Sequence, residues 1–150
     1  MSDSLGVETP LTIQTAAQVS RRIVTGEISA ADLSEACLAR IAAREPQVRA
    51  WAWHDPAQVR AQVAALPPVP VGKPLYGVPI GVKDMEACKG FPMTQGSWFL
   101  RDAAPEKEDS RHVARLRAAG AVIVGTTACS EFGMDSATTS KLWGTTRNPW

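Results

Sequence analysis

At 150 residues, with 45% hydrophobic and 21% charged positions, the chain has the length and balance of one globular domain, which excludes wholesale disorder and the fibrous classes. Lys and Arg number 16 against 15 Asp and Glu, a net charge of +1, so no electrostatic argument favours nucleic acid or an anionic membrane as partner. Apolar runs such as Ala121 to Val124 are far too short to cross a bilayer. Met1-Ser2-Asp3-Ser4 opens without a basic or apolar leader, and the expected location is cytoplasmic. The cysteines, Cys37, Cys88 and Cys129, are scattered without a C-x-x-C pair, and the histidines are His54 and His112 alone. That pattern argues against a disulfide framework, a zinc ribbon or a multi-histidine metal site, and no cofactor is implied. A hydrolase with this composition points to a base other than histidine.

The first third reads as helices. Thr15 to Gln18 fits a capping box, Ala16, Val19 and Ile23 share one helical face, and Gly26 suits the residue that ends the helix. Ser29 to Asp32 starts a second helix, with Leu33, Cys37 and Ile41 in one stripe and Pro46 as its expected stop. Trp51-Ala52-Trp53 reads as extended. Asp55-Pro56 then caps a third helix whose stripe is Val59, Val63 and Leu66. Prolines at 67, 68, 70 and 74 mark residues 67–74 as an extended linker between a helical arm, 1–66, and an α/β core, 75–150.

Val78 to Val82 is a short apolar run, expected to be a strand buried on both faces. A Gly- and Pro-rich stretch follows to Lys107. Asp109 is the expected cap of a further helix, with Val113 and Leu116 inward, Arg111, Arg115 and Arg117 outward, and Gly120 at its end. Ala121 to Val124 is a second buried strand. Strand, helix and strand in this order imply a parallel crossover. The remainder to Trp150 reads as loop, with a helical turn near Ser130 to Met134.

Lys83 is the leading candidate for chemistry. It ends a buried parallel strand, where open α/β sheets place their ligand sites, and a lysine desolvated there is available as a neutral general base. The competing reading is a stem that covers the strand end while its head reaches water, with Asp84 as an ion-pair partner. Ser97, Ser130, Ser136 and Ser140 suit turns and caps, and no G-x-S-x-G elbow is present. Cys129 has no evident base and reads as an inert thiol, His112 as partly solvated, and the tryptophans as core or interface residues.

Pro74-Leu75-Tyr76-Gly77-Val78-Pro79-Ile80-Gly81-Val82-Lys83-Asp84 resembles the segment of amidase signature enzymes that carries their catalytic lysine. The likeness continues in order. Thr94-Gln95-Gly96-Ser97 resembles the T-x-G-S loop, Asp109 through Gly125 the helix and strand, Glu131-Phe132-Gly133-Met134 the E-F segment, and Gly144 through Trp150 the G-x-x-x-N-P-W segment. Gly26 to Ala30 and Ala36 to Pro46 resemble the N-terminal helices. The resemblance implies part of a mixed-sheet α/β core and a Ser–cis-Ser–Lys mechanism acting on a small-molecule carboxamide. One serine attacks the carbonyl and a second relays its proton to the lysine. Backbone N–H groups hold the oxyanion, and the acyl-enzyme is hydrolysed or passed to an acceptor. Lys83 takes the role of base, and Gly133 and Met134 fall where substrate is bound.

The sequence departs from the pattern in two places. The family's G-G-S-S-G-G block follows N-P-W, so both serines and the oxyanion loop fall beyond Trp150. The expectation is therefore an N-terminal portion without activity by itself. The family's G-K-T-N is Gly125-Thr126-Thr127-Ala128 here. Two alternatives share the resemblance: the A subunit of a glutamine-dependent tRNA amidotransferase, and a non-catalytic remnant or interaction module. Apolar faces on the N-terminal helices would suit a homodimer.

Overall fold

The computed structural model describes residues 10–68 and 72–150. The expected leaderless start at Met1 to Ser4 and the centre of the Pro-rich linker, 69–71, lie outside them.

Local capping sets the first helices. In α1 (Ala16–Val24) the Thr15 hydroxyl accepts from the Gln18 N–H while the Gln18 side chain reaches back to Thr15. Gly26 follows at φ 75°. α2 (Ala30–Val48) opens with the same reciprocal arrangement between Ser29 and Asp32. Pro46 does not stop α2, which runs on to Val48 with the proline inside it. A proline this near the end forfeits one backbone bond, and the turn is held by other means. Arg49, left-handed at φ 54°, donates its N–H to the Glu45 carbonyl, and the Glu45 carboxylate accepts the N–H groups of Ala50 and Trp51. β1 (Trp51–His54) follows, then α3 (Pro56–Ala64), capped by Asp55 with proline at its first position. Leu66 lies just beyond α3 but still packs with Val63 against the core.

β2 (Pro79–Lys83), α4 (Arg111–Ala118) and β3 (Val122–Thr127) form the expected crossover, with β2 and β3 parallel. β3 is the central strand, since β1 pairs with its other side antiparallel. Its residues alternate between two cores. Val122 and Val124 pack with Leu38 and Val59 under α2 and α3, while Ile123 packs with Val82, Cys88, Phe91 and Val113 under α4. Each such side chain contributes about 1.5–3 kcal/mol on burial. A third cluster joins Val19, Ile23, Ala30 and Leu33 to Val78 at the start of β2. Gly125 admits β1, because a Cβ there would stand 2.1 Å from the Trp53 carbonyl oxygen.

Three expectations are corrected. β2 is not buried on both faces here: Val82 is buried while Gly81 and Lys83 are exposed, and among the described residues β2 pairs with β3 alone. Ser110, not Asp109, caps α4, accepting from the Val113 N–H. Asp109 is drawn instead to the Arg117 guanidinium at 2.9 Å and to the Lys89 N–H. That pair leaves Arg117 partly buried rather than outward, and Arg117 also donates to Gln62 of α3. Within the last segment, a short 3-10 turn at Glu131–Gly133 matches the expected helical turn. A small hairpin of β4 (Thr139–Ser140) and β5 (Gly144–Thr145) stands where only loop was expected.

Candidate active site

Lys83 is the last residue of β2, at the carboxyl end of the parallel pair, and its side chain is exposed. Asp84 does not pair with it. The chain turns after Lys83, whose carbonyl accepts from the N–H groups of Met85 and Glu86, and Asp84 points inward with no exposed surface.

The Asp84 carboxylate takes three donors from one loop. Oδ1 accepts the Thr94 N–H at 2.7 Å, and Oδ2 accepts the Thr94 hydroxyl and, at 3.2 Å, the Gly96 N–H. A carboxylate is acceptor-only, so three donors satisfy it where water is excluded. Trp143 Nε1 donates to Thr94 Oγ1 at 3.0 Å, tying the β4–β5 hairpin to the same point.

The Thr94–Ser97 loop is in turn clamped to the turn after β3. Gly96, at φ +65°, lies so close to the Cys129 carbonyl that a Cβ would approach its oxygen to 2.5 Å. Phe132 donates its N–H to the Gln95 carbonyl. The buried Ser97 hydroxyl donates to Glu131 Oε1 at 2.7 Å and accepts the Phe99 N–H. Ser97 is thus a structural turn residue with no surface for a substrate. Ser130 and Ser140 act likewise: the Ser130 hydroxyl bonds both backbone groups of Asp135, and Ser140 accepts from the Trp143 N–H.

A cleft of about 440 Å³ opens beside this turn, lined by Phe99, Glu131, Phe132, Met134 and Asp135 among others. Met134 is 86% exposed and forms part of its wall. Gly133 is not a lining residue. It sits at φ +67° over Met85, where a Cβ would meet the Met85 sulfur at 2.7 Å. Met85 is two residues past Lys83, so the turn after β2 and the turn after β3 pack against each other at Gly133.

Burial pushes the Cys129 thiol above its ordinary range, the nearby Asp84 charge adds to the rise, and the Lys83 charge opposes it. A buried thiol held protonated in this way is a poor nucleophile. His112 is largely solvated, with Nδ1 3.5 Å from Glu86. A second cleft, between α2 and the sheet, holds Cys37, Arg40, Trp51 and Trp150 but none of the predicted site residues. Among the described residues no group of three His, Cys, Asp or Glu could hold a metal ion, and no helix is long and apolar enough to cross a membrane.

The sequence reading singled out Lys83, Gly133 and Met134 and did not foresee the Asp84–Thr94 lock. Its one sequence signal is the acid that follows the lysine, and its partners lie ten and twelve residues on, at no helix or strand period.

The chain belongs to the amidase family, whose model matches residues 32–150. Among particular relatives, it is 43% identical over 145 residues to the A subunit of glutamyl-tRNA(Gln) amidotransferase from Roseiflexus castenholzii, covering 95% of this chain and 29% of that protein. Its namesake from Salinispora tropica is 40% identical over 149 residues, with 95% and 30% covered. A solved bacterial aryl acylamidase of the amidase signature family superposes with a TM-score of 0.85 at 28% identity, over 94% of this chain and 30% of that one. The peptide amidase of Stenotrophomonas maltophilia gives 0.77 at 31% identity, over 93% and 31%. The chain therefore spans about three-tenths of the length of these relatives.

Proposed function

We propose that this segment supplies the base of an enzyme that cleaves the C–N bond of a small carboxamide. In this reading Lys83 accepts, through an intervening serine, the proton of an attacking serine hydroxyl. The serine oxygen bonds to the carbonyl carbon, the C–N bond breaks, and the amine or ammonia leaves with a proton. Water or another acceptor then takes the acyl group. Both serines would come from outside residues 1–150. Residues 75–150 carry the chemistry, with Met134 and the neighbouring Gly133 turn against the substrate, and residues 1–66 brace the sheet.

The observation that carries this reading is the position of Lys83. It stands at the carboxyl end of β2 with its side chain exposed, two residues before the Met85 that packs against the Gly133 turn, within a chain of the amidase family. A second reading, the A subunit of an amidotransferase, is favoured by the names of the relatives above.

The test is ammonia release by the complete gene product carrying residues 1–150. Turnover of simple carboxamides by this polypeptide alone supports the hydrolase. Release from glutamine only when the other subunits of a glutamyl-tRNA(Gln) amidotransferase are added supports the second reading. No release under either condition contradicts both and leaves the non-catalytic remnant.

A further inference from the structure

We propose that Asp84 is the positioning residue for Lys83, acting through Thr94. The inference rests on the reading of Lys83 as the base. A lysine at an edge-strand end has four rotatable bonds and, here, no hydrogen-bonded or ionic partner among the described residues to orient it. Its backbone must be held by other groups, and the Asp84 carboxylate beside it bonds the next loop to the strand end.

The Asp84 N–H donates to the Thr127 carbonyl, which extends the β2–β3 ladder one residue past Lys83. The carboxylate then gathers the Thr94 N–H, the Thr94 hydroxyl and the Gly96 N–H. Through Thr94 it reaches Trp143, and through Gly96, Gln95 and Ser97 it reaches the turn at Cys129 to Phe132. The strand end, the loop and the turn behind the Met134 cleft thus meet at one buried side chain. It is buried and fully bonded, so it does not touch substrate. Its effect on the reaction is to hold the backbone of Lys83 and the loop and turn bonded beside it in one geometry.

The geometry predicts how substitutions divide. Asp84→Asn keeps the shape but replaces one acceptor oxygen by an NH₂ group that faces donors. Thr94→Val keeps the volume and removes the hydroxyl that joins Asp84 to Trp143. Thr94→Ser keeps that hydroxyl and loses only a methyl group.

The experiment is steady-state kinetics on a simple carboxamide with the complete gene product and four variants: Asp84→Asn, Thr94→Val, Thr94→Ser and Lys83→Ala. For Asp84→Asn and Thr94→Val, kcat should fall roughly 10- to 100-fold, as for an ångström-scale misplacement of a reacting group, with KM within about twofold. Thr94→Ser should remain near wild type. If Thr94 serves only to fill space, the order reverses, with valine mild and serine damaging, and the inference falls. The threonine pair keeps the test decisive should Asp84→Asn fail to fold. Wild-type kcat in Thr94→Val beside an inactive Lys83→Ala overturns the inference alone. A fully active Lys83→Ala, or a wild type that releases ammonia neither alone nor with the other subunits of a glutamyl-tRNA(Gln) amidotransferase, removes the reading of the base and this inference with it.

Discussion

Alanine at Gly96 should cost several times what alanine costs at Gly26, although both glycines hold a left-handed backbone. Gly26 is at φ +75° with nothing within 4 Å of an added Cβ, so Gly26→Ala carries the conformational penalty alone, about 1–2 kcal/mol. Gly96 is at φ +65° and adds two further costs. The new Cβ would stand 2.5 Å from the Cys129 carbonyl oxygen, a backbone atom that can yield only if the turn after β3 moves. That movement draws the Gly96 N–H from Asp84, and a hydrogen bond to a charged group is worth about 1.5–3 kcal/mol. The total for Gly96→Ala is then roughly 3–5 kcal/mol, a large share of the stability of an ordinary domain. Urea titration of the complete gene product, followed by tryptophan fluorescence at a common slope, measures both. Equal midpoint shifts for the two variants would refute the clamp between the Thr94–Ser97 loop and the turn after β3.

Other consequences follow from the capping, the thiols and the exposed surface. Ser29→Ala should cost about 1 kcal/mol at neutral pH. The Ser29 hydroxyl and N–H hold the Asp32 carboxyl below its ordinary value of 3.8, so the Asp32 contribution is present above that value and lost as pH falls through the lower folded one. Acid titration of the variant beside wild type should show the difference between them shrinking at low pH. Alkylation at pH 7 followed by mass spectrometry should label half-buried Cys37 before the buried Cys88 and Cys129 through access alone, since burial raises all three thiols. Residues 1–150 produced alone should leave carboxamides intact and associate in light scattering. Phe99 and Met134 are each 86% exposed, and among the described residues no strand pairs with the outer side of β2. A monodisperse monomer with a sharp melt would contradict the association.

The elements set by local chemistry were legible in the sequence. Thr15 with Gln18, Ser29 with Asp32, and Asp55 with Pro56 each announce a helix start through atoms at most three residues apart. The parallel pairing of β2 and β3 followed from two apolar runs and the helix between them. The errors lie where a distant partner outweighs a local preference. Pro46 reads as a stop, yet Glu45 reaches forward to the N–H groups of Ala50 and Trp51 and carries the helix past it. Asp109 reads as a cap, yet Arg117 and Lys89 claim its carboxylate and leave the cap to Ser110. At the site, Lys83 was legible through the run that precedes it and the resemblance it carries. The role of Asp84 was not, because its partners are fixed only by tertiary folding.

The central claim is that Lys83 takes up the proton during cleavage of an amide C–N bond. The most direct measurement is kcat/KM on a carboxamide for the complete gene product against Lys83→Ala and Lys83→Arg, each verified as folded by circular dichroism. The account predicts a loss of several orders of magnitude in Lys83→Ala and no recovery in Lys83→Arg, since a guanidinium stays protonated at working pH. Near-normal turnover by a folded Lys83→Ala protein would contradict it.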